Sequence, residues 1–573
     1  MKTMAAALGA FAACLVSAAP LSAAPRTGAP AAPAKTWTLP LDTFRDRLRG
    51  GWAGQMIGVS YGSIYEFKSN GAPITGPLRP WEPGFVANSL EQDDIYVEMT
   101  FLKTLEARGP KATRVQAGAD FRDSRYRLWH ANNAARENLR QGIPPPDSGH
   151  PRYNPHADDI DFQIEADLFG LVAPGMPRAA GRMCDVFGSV MNWGDGLYGG
   201  RFVTAMYCRA YQEPDPTPAA VRRCLDAGLA SIPADSDYAR ILRDVIAGHK
   251  KNPGDWRKTW QALEDKWGGV DLCPTGKGKP FNIDAKLNGA YIALGLLYGG
   301  GDFARTLEIT TRCGQDADCN PSNAAGVLGA IYGYRRLPAV YTRGIPSLDG
   351  KKFEWTDYDF PGLITACERV ARRVVLDNGG RVTRRGTAEV LEIPVQRPQP
   401  PAKTEQMQAF RPEQIAQWAA DYDRRLQAAR TKAPRIGQWR PGWQLVATGD
   451  AMETGVMSYL GRQPVLATHP VSRTEPAAIE RVLDIPAKKP RLRLTVTSST
   501  ENDAADWQLR VLVNGAVIDE RVVHTPGKWQ DITLDLAPYA GRQVTVRLEN
   551  RAGGAKDWAW EAAYWARVDV LGG

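Results

Sequence analysis

Between residues 39 and 378, apolar side chains recur at three- and four-residue spacing, most clearly over 94–105, 160–171, 219–229 and 286–298. That is the period of helices with one buried face, and it predicts an all-α domain. The intervening segments are rich in Gly, Pro and Asn, and strand-type alternation is scarce. Gly50, Gly54, Gly58 and Gly62 stand four apart. On a helix they form one smooth stripe along which a second helix can come close. Glycine costs about 1 kcal/mol against alanine inside a helix, so a stripe of four implies a packing reason.

The pattern then changes. A short strand-like piece spans 381–395, and Pro394, Pro398, Pro400 and Pro401 punctuate a linker. Residues 413–431 put Ile415, Trp418, Ala419, Tyr422 and Leu426 on one helical face. Farther on, polar and apolar positions alternate over 492–496, 507–513, 517–523, 531–536 and 544–548, divided by turn pairs such as Asn514-Gly515 and Pro526-Gly527. This predicts an antiparallel β-sandwich. The expected organisation is an export signal over 1–24, an all-α domain over 36–395, a helix-bearing linker over 396–440 and a β-sandwich over 441–573.

The export signal rests on Lys2, an apolar run over 4–16, and small Ser22, Ala23 and Ala24 before Pro25. A periplasmic or secreted location follows. The alternative, an uncleaved anchor, meets a run shorter than a membrane span needs, and no later segment is apolar enough to cross. At 573 residues, 43% hydrophobic and 23% charged, the chain has the make-up of a soluble multidomain protein. A net charge of +8 with no run of five or more basic residues argues against nucleic-acid binding. Of eight cysteines, Cys14 would leave with the signal. An odd set remains, so at least one thiol is free unless it pairs between chains, and one or two bridges fit an oxidising compartment. No CxxC pair marks a structural zinc site.

Two acidic clusters carry the candidate chemistry. Glu91-Gln92-Asp93-Asp94 opens a helical stretch. Asp316-Ala317-Asp318-Cys319-Asn320-Pro321 precedes another, with Asn320 a suitable N-cap and Pro321 a suitable first helical residue. Paired carboxylates at helix starts suit hard cations, which take several oxygens at once. The plainer reading is acids that stabilise helix dipoles. Small Ala325, Gly326, Gly329, Ala330 and Gly333 follow the second cluster, and a closely packed helix does not readily hold two carboxylates without a cation.

In these features the chain resembles the ADP-ribosylglycohydrolase family over residues 39–338. That family has a Gly-x-x-x-Gly-x-x-x-Glu pattern, matched by Gly58, Gly62 and Glu66. Its Thr-Asp-Asp-Thr segment corresponds to Gln92-Asp93-Asp94-Ile95, and its late Gly-Asp-x-Asp-Thr segment to Gln315-Asp316-Ala317-Asp318-Cys319. The resemblance implies an all-helical hydrolase with magnesium held by Asp93, Asp94, Asp316 and Asp318. It implies Glu66 as general acid or base, with a plain salt-bridge role as the alternative. Three family threonines are Gln92, Ile95 and Cys319 here, and a family aspartate is Val59. Gln92 could ligate through its carbonyl. Cys319 is open between ligand, free thiol and a bridge to Cys313. One or two magnesium ions are expected, with calcium or manganese as alternatives.

The middle of the chain adds Asp158, Asp159, Asp161 and Glu165. Asp158, Asp161 and Glu165 share a helical face by spacing, either solvated or entering a site. Asp161 joins Glu66 and Asp94 as a catalytic candidate, and Asp159 is a substrate-contact candidate. Asn192, Trp193, Asp195 and Tyr198 lie in a Gly-rich segment read as a flexible sugar-binding loop, with Asn320 beside the second acidic cluster. Tryptophans 443, 507, 529, 558, 560 and 565 in the sandwich are either core or a glycan surface. The resulting expectation is an exported metal-dependent glycoside hydrolase acting on a carbohydrate, a furanoside among the candidates. Its alternatives are an ADP-ribosyl hydrolase, with Lys277 and Lys279 meeting a pyrophosphate, and a non-catalytic glycan-binding protein. The sequence leaves the oligomeric state open.

Overall fold

The computed structural model describes residues 35–572 apart from 274–282, 406, 408–438, 450–453, 472–474, 501–504 and 554–560. The export segment, the 413–431 helix, Lys277, Lys279, Trp558 and Trp560 lie outside the described residues. Among the described residues, sixteen α-helices precede a sheet-rich C-terminal region. No described helix is long and apolar enough to cross a membrane.

The central feature is a pair of buried helices, Leu41–Gly62 and Cys319–Tyr332. The glycine stripe is their contact. A Cβ on Gly50 would lie 2.2 Å from the Gly329 carbonyl oxygen, on Gly54 2.2 Å from that of Ala325, on Gly58 2.3 Å from that of Pro321, and on Gly62 1.9 Å from that of Ala317. Both helices thus touch through every fourth residue, backbone to backbone. The rail ends where Gly62 meets Ala317 and Asp318, four residues before Glu66. Packing alone therefore delivers the early glutamate to the late acidic cluster.

Around this pair stand Asp93–Arg108, His130–Arg140, Asp195–Ala210 and Ala285–Gly299. The last is buried along its whole length. Three expectations change. The 160–171 stretch is broken into Asp161–Ile164 and Asp167–Leu171, because Glu165 leaves the helical path with its carboxylate held by Asn132 of another helix. Asp158 therefore does not share a helix face with Asp161. The late acidic helix begins at Cys319, with Asp318 at the N-cap, rather than after Asn320. Finally, 381–395 is two strands, Arg381–Arg385 and Ala388–Pro394, joined by Thr36–Pro40 in an antiparallel sheet of order first, third, second.

The C-terminal region holds two five-stranded antiparallel sheets. The outer turn of one hairpin, Asn514-Gly515, takes φ of 51° and 80°, the left-handed pair that a two-residue hairpin demands. Residues from both sheets, among them Leu494, Leu509, Val546, Trp507 and Trp565, share one core. Trp443, Trp507 and Trp565 are thus core, and Trp507 and Trp565 pack at 5.1 Å.

Candidate active site

Asp94 opens the Asp93–Arg108 helix, and Asp318 caps the Cys319–Tyr332 helix. The two helix starts meet. Ligand atoms of Asp94, Asp318 and Cys319 lie within 4.8 Å of one another, as do those of Glu66, Asp316 and Asp318. Asp318 is common to both groups. Asp93 is half-buried beside them, accepts the Asp94 N–H at 3.2 Å, and adds its charge to Glu66 and Asp318.

Asp94, Asp316 and Asp318 are each 1% exposed or less. Each keeps one carboxylate oxygen, Oδ1, without a hydrogen-bond partner. Among the described residues, no ion pair reaches Asp93, Asp94, Asp316 or Asp318. Burial first, and neighbouring acids second, push Asp94 and Asp318 well above the usual carboxylate range; burial does the same to Asp316. Glu66 faces solvent, and the water it loses against the cluster, together with Asp318 and Asp93, pushes it up to about 8. A buried acid set with unpaired oxygens and no cation is unstable by itself. Its donor chemistry, oxygen-rich and compact, fits a hard divalent ion.

Cys319 departs from that set. Its thiol donates to Asp94 Oδ2 at 3.2 Å, and burial among acids holds it protonated. It therefore orients Asp94 rather than adding a thiolate. The bridge to Cys313 does not form, and all seven described cysteines are free. Gln92 serves as the N-cap: its carbonyl oxygen accepts Ile95 and Tyr96 N–H groups, while Nε2 donates to Asn88 at 3.2 Å. Asn320, in the first turn of the Cys319–Tyr332 helix, donates to Asn288 at 2.8 Å.

A second acid layer lies deeper, and of its three members the sequence had pointed only to Glu165. Glu98 accepts the Leu168 N–H at 2.6 Å, and Asp167 accepts Asn323 at 2.6 Å. Glu165 accepts Asn132. All three are fully buried. Glu98 stands four residues after Asp94, flanked by the apolar Ile95, Val97, Met99, Phe101 and Leu102, the one signal that could have found it.

Asp161 is 5% exposed and accepts the backbone N–H groups of Asn132 at 3.0 Å and Ala131 at 3.3 Å. It holds the start of the His130–Arg140 helix. Burial pushes it up to about 7, against those donors and with Asp93 adding repulsion. Asp159 faces His156 and His130 instead of the acid cluster.

The Gly-rich segment is a loop only over 192–194. Asp195 to Gly200 is the first part of the Asp195–Ala210 helix, where Gly199 lets Gln163 approach and Gly200 lets Phe162 approach. Asn192 is 1% exposed and spends its amide on Phe162 N–H and on the carbonyls of Ala157 and Asp159. Asp195 accepts the Tyr238 N–H at 3.1 Å. The Tyr198 hydroxyl accepts the Glu405 N–H at 2.6 Å. Trp193 is half-buried, its ring 5.2 Å from that of His150. These four brace the fold beside the site. Behind them Lys286 is 3% exposed and pairs with Asp284 at 2.6 Å and Asp158 at 3.5 Å. Surface cavities of about 310 Å³ beside Cys208 and Arg223, and of about 710 Å³ beside Arg49 and Glu368, lie away from the acids.

A family model, ADP-ribosylglycohydrolase, matches residues 40–372. Among solved structures, an ADP-ribosylglycohydrolase-related protein complex aligns at 17% identity and a TM-score of 0.37, over 58% of this chain and 99% of that one. A family 35 carbohydrate binding module from an environmental isolate aligns at 16% identity and a TM-score of 0.17, over 22% of this chain and 86% of that one. A CBM35 from Paenibacillus barcinonensis aligns at 16% identity and a TM-score of 0.17, over 24% and 96%. No curated protein matches the chain.

Proposed function

Since this chain belongs to the ADP-ribosylglycohydrolase family, and is thereby a hydrolase of glycosyl bonds, we propose that it is an exported, divalent-cation-dependent glycoside hydrolase acting on a carbohydrate. The observation that carries the reading is the set of unpaired, buried Oδ1 atoms on Asp94, Asp316 and Asp318 beside solvent-facing Glu66. Asp93, Asp94, Asp316 and Asp318 hold the cation, with magnesium as the leading ion. Such an ion, when bound, orients sugar hydroxyls and lowers the pKa of water.

The residues divide the remaining work. Glu66, pushed up to about 8 by burial and by Asp318 and Asp93 when no cation is bound, stands at the open edge of the set. It is the group able to hand a proton to the leaving-group oxygen as general acid. The Cys319 thiol fixes Asp94 through Oδ2 and leaves Oδ1 for the site. Asp161 is a positioning residue that sets the neighbouring helix start.

The substrate class rests on location and on the sandwich. The 1–24 pattern supports export, and sugars are abundant outside the cytoplasm where ADP-ribosylated protein is not. In the sandwich, Tyr459 and Trp529 are partly exposed, Tyr459 stacks on Tyr564 at 3.7 Å, and Arg462 lies 5.0 Å over Trp529. An aromatic platform of this kind suits a sugar face. A furanoside, or another sugar with vicinal hydroxyls, matches a cation that grips two neighbouring oxygens.

The test is hydrolysis by the purified chain. Aryl glycosides and oligosaccharides are assayed beside ADP-ribosyl-arginine and ADP-ribosyl-serine peptides, each with magnesium and with chelator. Sugar release that chelator abolishes is the expected result. Release of ADP-ribose alone would overturn the carbohydrate assignment. Glycan binding without turnover would overturn the hydrolase reading.

A further inference from the structure

Four side chains from three separate segments converge beside the acid set without belonging to it. His156 Nδ1 lies 2.7 Å from Asp159 Oδ2, and His130 Nδ1 lies 3.6 Å from the same oxygen. Cys273 Sγ lies 3.3 Å from His156 Nδ1. His130, His156 and Asp159 all have ligand atoms within 4.8 Å of one another. Asp159 and Cys273 are 0% exposed, and Asp159 Oδ1 has no hydrogen-bond partner.

A Cys–His–Asp hydrogen-bonded relay does not account for this. In a relay the thiol and the carboxylate use opposite nitrogens of the imidazole. Here both face the same nitrogen, Nδ1. Convergence on one point is a coordination pattern. Zinc bonds of about 2.0–2.1 Å to nitrogen, about 2.0–2.2 Å to oxygen and about 2.3 Å to sulfur give tetrahedral edges of roughly 3.3 Å between nitrogen and oxygen and roughly 3.6 Å between nitrogen and sulfur. The His130–Asp159 separation of 3.6 Å and the Cys273–His156 separation of 3.3 Å come near those edges, while His156 and Asp159, at 2.7 Å, stand at hydrogen-bond distance and part by about 0.6 Å to take a metal. Burial lowers both histidines, to about 4 and about 3, so both are neutral and able to ligate.

We propose that His130, His156, Asp159 and Cys273 form a zinc-class metal site, separate from the magnesium-type acid cluster. Imidazole and thiolate select zinc over magnesium, whereas the all-oxygen cluster selects the reverse. The absence of a CxxC pair pointed away from structural zinc; the ligands come instead from scattered segments. His130 opens the helix whose N–H groups hold Asp161, and His156 and Asp159 precede Asp161 in the chain. Metal there pins the start of that helix and, through it, Asp161. His130 takes a left-handed φ of 40°, a conformation that such a ligand contact would hold in place.

Cobalt is the probe, added to the chelator-stripped full chain. The expected result is one tightly bound cobalt with tetrahedral visible bands and a near-ultraviolet thiolate band, displaced by equimolar zinc. Cys273→Ser abolishes the thiolate band, and His130→Gln weakens cobalt binding at least tenfold. Cys319→Ser, which removes the thiol of the acid cluster, leaves the spectrum unchanged. A wild-type chain with no thiolate band overturns the proposal. So does a band that survives Cys273→Ser or vanishes in Cys319→Ser. Circular dichroism of each variant establishes that it is folded, and His130→Gln, at a partly exposed position, provides the test if Cys273→Ser does not fold.

Discussion

The glycine rail makes a prediction whose sign opposes simple helix propensity. Gly58→Ala replaces a glycine inside a helix, and propensity alone makes that change stabilising by about 1 kcal/mol. The new Cβ, however, would sit 2.3 Å from the Pro321 carbonyl oxygen and 2.6 Å from Ser322 Cα. Ordinary contact begins at 3.4 Å, so the shortfall is 3.4 − 2.3, or 1.1 Å. The opposing atoms are backbone and cannot swing aside. The helices must part by about that distance, and overpacking of this kind costs about 1–3 kcal/mol, occasionally more. The clash therefore wins by up to about 2 kcal/mol, and in a domain of this size the melting temperature falls by about 1–3 °C. The same movement displaces Asp318 from the cluster it shares with Glu66 and Asp94, so the stabilisation by added magnesium shrinks as well. Thermal melts with magnesium and with chelator read both effects. Gly76→Ala, with nothing within 4 Å of its new methyl, is the control. A Gly58→Ala variant that melts above wild type with its magnesium response intact would refute the reasoning.

Three further outcomes are expected. In chelator, stability declines as pH rises from about 4 to about 8: Asp161 and Asp167, raised to about 7 and about 8, bind protons in the folded state that the unfolded chain has already released, so their contribution is complete below the unfolded pKa and lost through the folded one. Magnesium rescue grows over the same interval, and a metal-free melting profile flat in pH would count against this. Lys286→Met leaves Asp158 and Asp284 buried without their cation and costs about 3–5 kcal/mol in urea unfolding; an unchanged midpoint would contradict the ion-pair reading. Asp161→Asn retains turnover but loses about 0.5–2 kcal/mol of stability as a helix start is weakened, whereas complete loss of turnover with unchanged stability would return Asp161 to the catalytic set.

Much of the site was legible because it rests on short-range spacing. The four glycines sit at the helix positions their periodicity implied, the acid pairs sit at or just before two helix starts, and Glu66 follows the end of the rail. What escaped is set by tertiary packing. Glu98 and Asp167 look in sequence like polar positions on amphipathic helices, yet both are fully buried. Cys273 meets His156 across 117 residues, a distance that no local pattern spans. The segment from Asn192 to Gly200 has loop composition, but its glycines are there to admit Phe162 and Gln163 against a helix. Asn320 looked like a cap because Asn-Pro favours one, whereas Asp318 takes that place and Asn320 turns to Asn288. In the sandwich, strand alternation was clear over 492–548, but Gly455–Tyr459, Arg462–Thr468, Ala477–Asp484 and Ala563–Leu571 were missed, the last three because buried runs break their period.

The account's central claim is that Asp93, Asp94, Asp316 and Asp318 hold a hard divalent cation. Calorimetric titration of magnesium into the chelator-stripped chain and its Asp316→Asn variant tests it directly, since magnesium avoids the imidazole and thiolate ligands of the second cluster. The account predicts saturable binding by the wild-type chain and affinity weakened at least about tenfold, or roughly 1.4 kcal/mol, in the variant. Equal affinity in both, or no binding by the wild-type chain, would contradict it.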